Sequence, residues 1–469
     1  MRTTLLKCRI ITLIMLLSAT GNITFAATDT LRVMAYNVLN YGSYPLCQGP
    51  NNTYHAYLQT IVQYANPDII GLEKMGSIQT APGDNNYTAE INFQDSILKY
   101  VLNPPFPGRF SYCPFTNFSA ASTECMVFYN QQKLGFVATT CTYYGAIGDK
   151  NEDFNTYKFY YKDPNLATTH DTTFLYVTDN HDISGNSNYA QRGAQIAGEM
   201  AQIQTHFTHL ANMINMGDFN LRNSSEPVYQ TLTVPANSNF QYYDPPFYPD
   251  ATVALPADWD GNPSAFAKFL TTSTRVSPSI PNSCGTSGGG KDWFDHIFLS
   301  PWIINNTNYI SYIPKSFRVL GNDGNRVSIS VNDAPTNTSA PSAVINALFQ
   351  MSNKYPVMVD LLVTPNTTGI SPVDPEILNV SVANTTLNSN HATVVNPVSS
   401  QMTIVFTEGL IGETVSLECT DIVGRVKFRK TIKVTNTTEQ LATNLTPGIY
   451  YIMIADDKGI VARTVITKQ

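Results

Sequence analysis

Between Leu31 and Val363, short apolar runs ending on polar residues alternate with segments of helical spacing, and this alternation limits the chain to layered α/β architectures. LRVMAYNVLNYG (Leu31 to Gly42) is a buried strand running into a polar loop. Leu58, Ile61, Val62 and Ala65 then fall on one helical face, Asn66-Pro67 stops the helix, and DIIGL resumes as a short buried strand. After this β-α-β start come a strand over Phe174 to His181, a helix in AQRGAQIAGEMAQIQTHF, and a strand over Asn212 to Asn220. FDHIFLS (Phe294 to Ser300) and YPVMVDLLV (Tyr355 to Val363) add two more strands. The expected architecture is two sheets packed face to face with helices outside.

The pattern changes at TPNTTGISPVDP (Thr364 to Pro375), where Pro, Gly and Thr replace apolar periodicity. Beyond it, short strands alternate with turns at Gly424, Gly448 and Gly459, and no helical spacing recurs. The expected organisation is a signal peptide over 1–26, an α/β domain over 28–365, a linker over 366–387 and a small β-sandwich over 388–469.

Arg2, Lys7 and Arg9 precede the apolar run Ile10 to Leu17, and small and polar residues follow to Thr24-Phe25-Ala26, the pattern of a secretory signal peptide. No later run approaches the ~20 apolar residues of a membrane span without charge or Pro, so a soluble, secreted mature chain is expected; it is also expected to be a monomer. Lys and Arg number 28 against 35 Asp and Glu, a net charge of −7 that argues against a basic nucleic-acid clamp. Phosphate chemistry on such a chain would call for a bound cation. Cys8 leaves with the signal segment; Cys47, Cys113, Cys125, Cys141, Cys284 and Cys419 form an even set for which disulfides are expected, with a local Cys113–Cys125 bridge among them.

The strongest chemical signal is Met216-Gly217-Asp218-Phe219-Asn220. Residues two apart on a strand share a face, so the Asp218 carboxylate and the Asn220 amide can converge on one ligand. The carboxylate can bind metal or accept a proton from water, and the amide supplies an uncharged donor. The competing reading is a turn in which both side chains satisfy backbone groups. SCGTSGGG (Ser283 to Gly290) lacks the Gly-Lys-Ser/Thr ending of a phosphate loop and reads as a flexible rim loop.

MAYNVLNYG, PDIIGLEKM, HDISG, MGDFNLRNSSEPVYQ, FDHIFLS and SNKYPVMVDL, in that order, resemble the endonuclease/exonuclease/phosphatase superfamily related to deoxyribonuclease I. The resemblance implies a four-layered α/β sandwich of the deoxyribonuclease I type and a metal-dependent phosphodiesterase or nuclease. It implies a divalent cation, usually Mg2+, held by Asn37 and by a Glu at the end of the second strand, for which Glu73 is the candidate. It further implies that His181 contacts the scissile phosphate, that Asp218 and Asn220 orient water and phosphate, and that Asp295 steers a catalytic His. Arg192 fits an Arg that often follows His181. The substrate would be a phosphodiester, with nucleic acid among the candidates.

Two positions depart from that pattern. The register of PDIIGL puts Lys74 where the metal-binding Glu belongs, with Glu73 one residue early, and a one-residue shift on a strand reverses the side chain. Glu73 serves only if a bulge re-aims it. In Ser352-Asn353-Lys354-Tyr355-Pro356-Val357, Lys354 stands in place of a His and Asn353 in place of its Asp, and His296 is a candidate substitute. Two readings follow: a weak or altered phosphodiesterase, or a catalytically degenerate binding protein at the cell surface.

Asn396-Pro397-Val398, the turn Asp421-Ile422-Val423-Gly424 and LTPGIYYIMI resemble the type IX secretion sorting domain of Bacteroidetes. This implies recognition by the outer-membrane secretion machinery and a secreted or cell-surface protein.

Overall fold

The computed structural model describes residues 28–42, 51–76, 93–115, 123–145, 153–249, 254–277, 285–377, 392–396, 398–421, 425–456 and 459–468. The first apolar run forms β1 (Asp29–Tyr41), buried continuously from Val33 onward, as a strand covered on both faces requires. Helix α1 (Asn51–Ala65) buries Leu58, Ile61, Val62 and Ala65 and leads into β2 (Ile69–Gly76), which runs parallel to β1. In chain order there follow β3 (Phe110–Tyr112), β4 (Thr123–Asn130), β5 (Leu134–Tyr144), β6 (Asp153–Tyr161), β7 (Phe174–His181), α2 (Tyr189–His206), β8 (Met213–Asp218), α3 (Pro227–Thr233) and β9 (Asp295–Leu299). β10 (Ile310–Tyr312), β11 (Arg318–Val319), α4 (Ser342–Met351) and β12 (Val357–Val363) complete the first unit.

One sheet has the order β10-β12-β1-β2-β4-β3, with β11 on β12, and the other β5-β6-β7-β8-β9. β1 meets β8, β2 meets β7 and β8, and β12 meets β9, so the sheets pack face to face. α1 is the crossover between the parallel strands β1 and β2 and packs on α4; α2 is the crossover between β7 and β8 and packs on α3. Since the inner faces are taken, each helix pair covers an outer face. The expected four-layered α/β sandwich is what the chain forms.

The chain divides into two compact units at Ile377/Leu378. Residues 366–377, expected as linker, are tied to the first unit: the Asn366 backbone N–H donates to Asp163 at 2.5 Å, Thr208 N–H to the Pro375 carbonyl at 2.9 Å, and Lys158 pairs with Asp374 at 2.9 Å and with Glu376. The second unit is all-β. Its strands β13 (Ala392–Val394), β14 (Gln401–Phe406), β15 (Thr414–Asp421), β16 (Val426–Lys433), β17 (Thr438–Ala442), β18 (Gly448–Asp456) and β19 (Gly459–Lys468) form antiparallel sheets β13-β14-β17 and β16-β15-β18-β19. Met402, Ile404, Phe406, Val415, Leu417, Ile454 and Ile466 make a core of its own.

The expected Cys113–Cys125 disulfide is not formed. The register of β3 on β4 carries Cys113 opposite Val127, to whose carbonyl its N–H donates at 2.8 Å, so Cys125 lies two residues off the facing position. Such diagonal pairs sit ~7–8 Å apart, beyond the ~3.5–4.5 Å that a disulfide spans between Cβ atoms. The signal segment 1–26, Cys47 and Cys284 lie outside the described residues. Among the described residues no helix is long and apolar enough to cross a membrane.

Candidate functional site

The site forms where the ends of β1, β7, β8 and β9 meet between the sheets. Gly217 has φ +131°, and a Cβ there would collide with the Asn180 backbone, so glycine lets β8 close tightly on β7. The register then sets His181 beside Asp218 and Asp218 beside Asp295. Asn220 turns the chain at φ +50°; its N–H donates to Asp218 Oδ1 at 3.1 Å and its side-chain amide to the Asp182 carbonyl at 2.8 Å. The Asn220 amide is thus engaged with backbone, as the turn reading of this motif anticipates.

Asn37 on β1 reaches the same carboxylate from the other sheet. Its amide donates to Asp218 Oδ2 at 2.8 Å, while its own Oδ1 accepts the Leu39 N–H at 3.0 Å. Lys354 arrives from the segment before β12. Ser352 Oγ donates to the Asn37 carbonyl at 2.7 Å and accepts the Lys354 N–H at 3.1 Å, which brings the lysine over the site. Lys354 Nζ lies 2.7 Å from Asp218 Oδ2 and 3.7 Å from Asp295 Oδ2, and 4.3 Å from the centre of the Phe294 ring. Lys354 is only 4% exposed and Asp218 and Asp295 1% each. Burial favours a neutral Asp218, but the charges of Lys354 and His181 and the Asn37 amide outweigh it and hold the carboxyl below its ordinary range. Asp295 behaves oppositely: burial pushes its pKa up to about 8, and the Lys354 charge offsets this only in part. Burial also opposes the charge on Lys354, yet Asp218 and Asp295 raise its pKa above the usual lysine value.

Glu73, and not Lys74, is the residue of its segment that turns inward. β2 pairs Asn37 with Glu73, after which the register breaks and Lys74 takes φ +55°, so an irregularity does re-aim the strand end. Glu73 is fully buried, however, and faces the Asp179 carboxyl on β7. Gly71, one face-repeat earlier on β2, leaves the space that the Asp179 side chain fills. Burial first, then the negative charges of Asp179, Asp295 and Asp218, push the Glu73 pKa far up, and burial takes Asp179 to about 8. Both carboxyls are thus biased toward their neutral forms. No motif in the sequence marks Asp179, although it stands two residues before His181 and hence on the same face.

Three further side chains serve elsewhere. His296 lies in an aromatic nest, stacked on Trp293 at 4.4 Å and on Phe298 at 5.3 Å between centroids, with Nδ1 3.2 Å from Asp244 and Nε2 3.2 Å from the Trp293 carbonyl. It is a core histidine, because its neighbour Asp295 takes the site-facing side of β9. Arg192 is fully buried, donates to Glu226 at 2.7 Å and to the Gly185 carbonyl at 2.7 Å, and fastens α2 to the start of α3. Asn353 turns away from Lys354 and donates to Thr286 of the Gly-rich loop at 2.5 Å.

As arranged, these residues do not fit a divalent ion at Asn37 and Glu73. A carboxylate has about four lone-pair positions, and Asp218 already receives Asn37, Lys354 and the Asn220 N–H. Glu73 is turned onto a second carboxyl, and burial first and that neighbour second raise its pKa. Among the described residues no group of three or more His, Cys, Asp or Glu side chains is arranged to hold a metal.

Residues 396–468 match the family described as the secretion system C-terminal sorting domain. The chain therefore carries the tail of proteins that type IX secretion delivers to the cell surface or extracellular space. No curated protein matches the chain in sequence. Among solved structures, it is similar to truncated TDP2 of Caenorhabditis elegans, at 14% identity over 71% of this chain and 97% of that one, with a TM-score of 0.40. It is also similar to an endonuclease/exonuclease/phosphatase protein from Beutenbergia cavernae, at 13% identity over 93% and 99% of the two chains, with a TM-score of 0.37. The human Nocturnin catalytic domain is similar at 13% identity over 71% and 97%, with a TM-score of 0.40.

Proposed function

We propose that this is an exported surface protein whose α/β unit keeps the frame of a metal-dependent phosphodiesterase but is catalytically silent, its role being binding. The observation that carries this reading is Lys354, whose ammonium lies 2.7 Å from Asp218 and 3.7 Å from Asp295 among buried side chains. Phosphoryl transfer depends on charge stabilisation and positioning. Here the Asp218 carboxylate that would serve a cation and a water is paired with a fixed lysine, burial raises the pKa of Asp295, and the place of the general acid–base is held by a lysine whose pKa is raised. Loss of a general acid–base removes about 10²–10⁴ in rate, and loss of the metal adds to that.

A second reading, a slow Mg2+-dependent phosphodiesterase, is favoured by His181, which stays in register beside Asp218. The two separate in one assay: hydrolysis of DNA and of bis(p-nitrophenyl) phosphate by the purified chain with Mg2+ or Mn2+. The silent reading expects rates indistinguishable from those of Asp218→Ala. Turnover that Asp218→Ala abolishes establishes the enzyme instead.

A further inference from the structure

In metal-assisted sites a divalent ion neutralises converging carboxylates; here the chain provides a cation of its own. Asp218 and Asp295 are neighbours in register on β8 and β9 and are both almost fully buried. Two carboxylates so placed are costly to hold ionised unless a positive charge lies between them. Among the described residues neither buried Asp295 side-chain oxygen has a hydrogen-bond partner, and Lys354 Nζ lies 3.7 Å from Oδ2 as the cation beside them. Lys354 is positioned for this by a long-range tether, since Ser352 Oγ bridges the Asn37 carbonyl on β1 and the Lys354 N–H.

We propose that Lys354 is the resident cation of this site, that it excludes divalent metal from Asp218 and Asp295, and that a neutral side chain at 354 uncovers a divalent-cation site there. The idea rests on the reading of the site as silent and extends it to the agent of silence. An ammonium and a divalent ion compete for the same carboxylate oxygens, and the two lone-pair positions of Asp218 Oδ2 are already taken by the Asn37 amide and by Lys354. Lys354→Met removes the charge and keeps the length of the side chain, leaving the Asp218 and Asp295 carboxyls facing an apolar stem. A hard cation with oxygen ligands is what such a pair attracts.

The test is Mn2+ and Mg2+ binding to the full chain, by calorimetry and by the shift in melting temperature of the α/β unit. The wild-type protein should show no site-specific binding and no shift. Lys354→Met should melt lower than wild type without metal and recover on adding Mn2+, with an affinity at least about tenfold above any residual wild-type binding. Lys354→Arg should stay metal-blind, and Lys354→Met with Asp295→Asn should fold but lose the Mn2+ response. If Lys354→Met is folded only with Mn2+, the proposal is supported. It is overturned if the wild type binds Mn2+ in a manner lost in Asp218→Asn, or if Lys354→Met shows no gain. Hydrolysis plays no part in this readout. A metal-blind wild type that nevertheless cleaves phosphodiesters would refute the silent reading and leave the assignment of Lys354 intact.

Discussion

Lys354 Nζ and Asp218 Oδ2 lie 2.7 Å apart between two sheets, joining the segment before β12 to the end of β8 in a site where neither residue is more than 4% exposed. A buried pair of this kind contributes little net stability over an apolar substitute, but losing one partner leaves a charge with no compensation. Lys354→Ala should therefore destabilise the α/β unit by about 3 kcal/mol or more. Urea unfolding of the single variants and of Lys354→Met with Asp218→Leu checks this, and the double change should cost less than Lys354→Ala alone.

Buried carboxyls give the unit an inverted pH dependence. Burial, the largest cause in each case, takes Asp179, Glu199 and Asp295 up to about 8, against ~3.9–4.3 in an unfolded chain. Between these limits the unfolded chain has released protons that the folded one keeps, so stability should fall as pH rises from about 4 to about 8. Asp218 and Asp360, whose pKa values are lowered, act in the opposite direction only in the acid range below that window. The melting temperature should be higher at pH 5 than at pH 8, and Asp179→Asn should flatten the difference. A rising or flat profile in the unaltered protein counts against the protonated carboxyl pair.

Much of the frame is legible in the sequence, because a strand covered on both sides must be apolar throughout. The runs at Leu31 to Gly42, Phe174 to His181 and Asn212 to Asn220 correspond to β1, β7 and β8. β3 to β6 are hidden, since strands such as LGFVATTCTYY and DFNTYKFYY mix Thr, Tyr and Phe without a clear apolar face. The direction of Glu73 cannot be read from spacing, because it depends on the left-handed turn at Lys74 and on the break in β1–β2 register after Asn37. Lys354 stands out in sequence as a replacement, yet its contact with Asp218 needs the Ser352–Asn37 tether across 315 positions, which no local pattern encodes.

Gly217 should tolerate no side chain. With φ +131° and the Asn180 backbone against it, Gly217→Ala combines backbone strain with a clash and should cost about 2 kcal/mol or more. The expected result is a lower midpoint in urea; an unchanged midpoint would show that β7 and β8 have room to part.

Removing the C-terminal unit after Ile377 should leave the melting transition of the α/β unit nearly unchanged while abolishing delivery to the cell surface. Cutting before Asp374 should not be neutral, because Lys158, with its side chain 10% exposed, would lose both Asp374 and Glu376. Thermal melts of the two truncations, with cell fractionation of tagged versions, distinguish an anchored segment from a free linker.

The most direct test of the site is a crystal of the full chain grown with Mn2+, with the metal located by its anomalous scattering. No anomalous peak should lie in contact with Asp218, and the density should place Lys354 Nζ within hydrogen-bonding distance of that carboxylate. An anomalous peak coordinated by Asn37, Glu73 or Asp218, with Lys354 swung away, would contradict it.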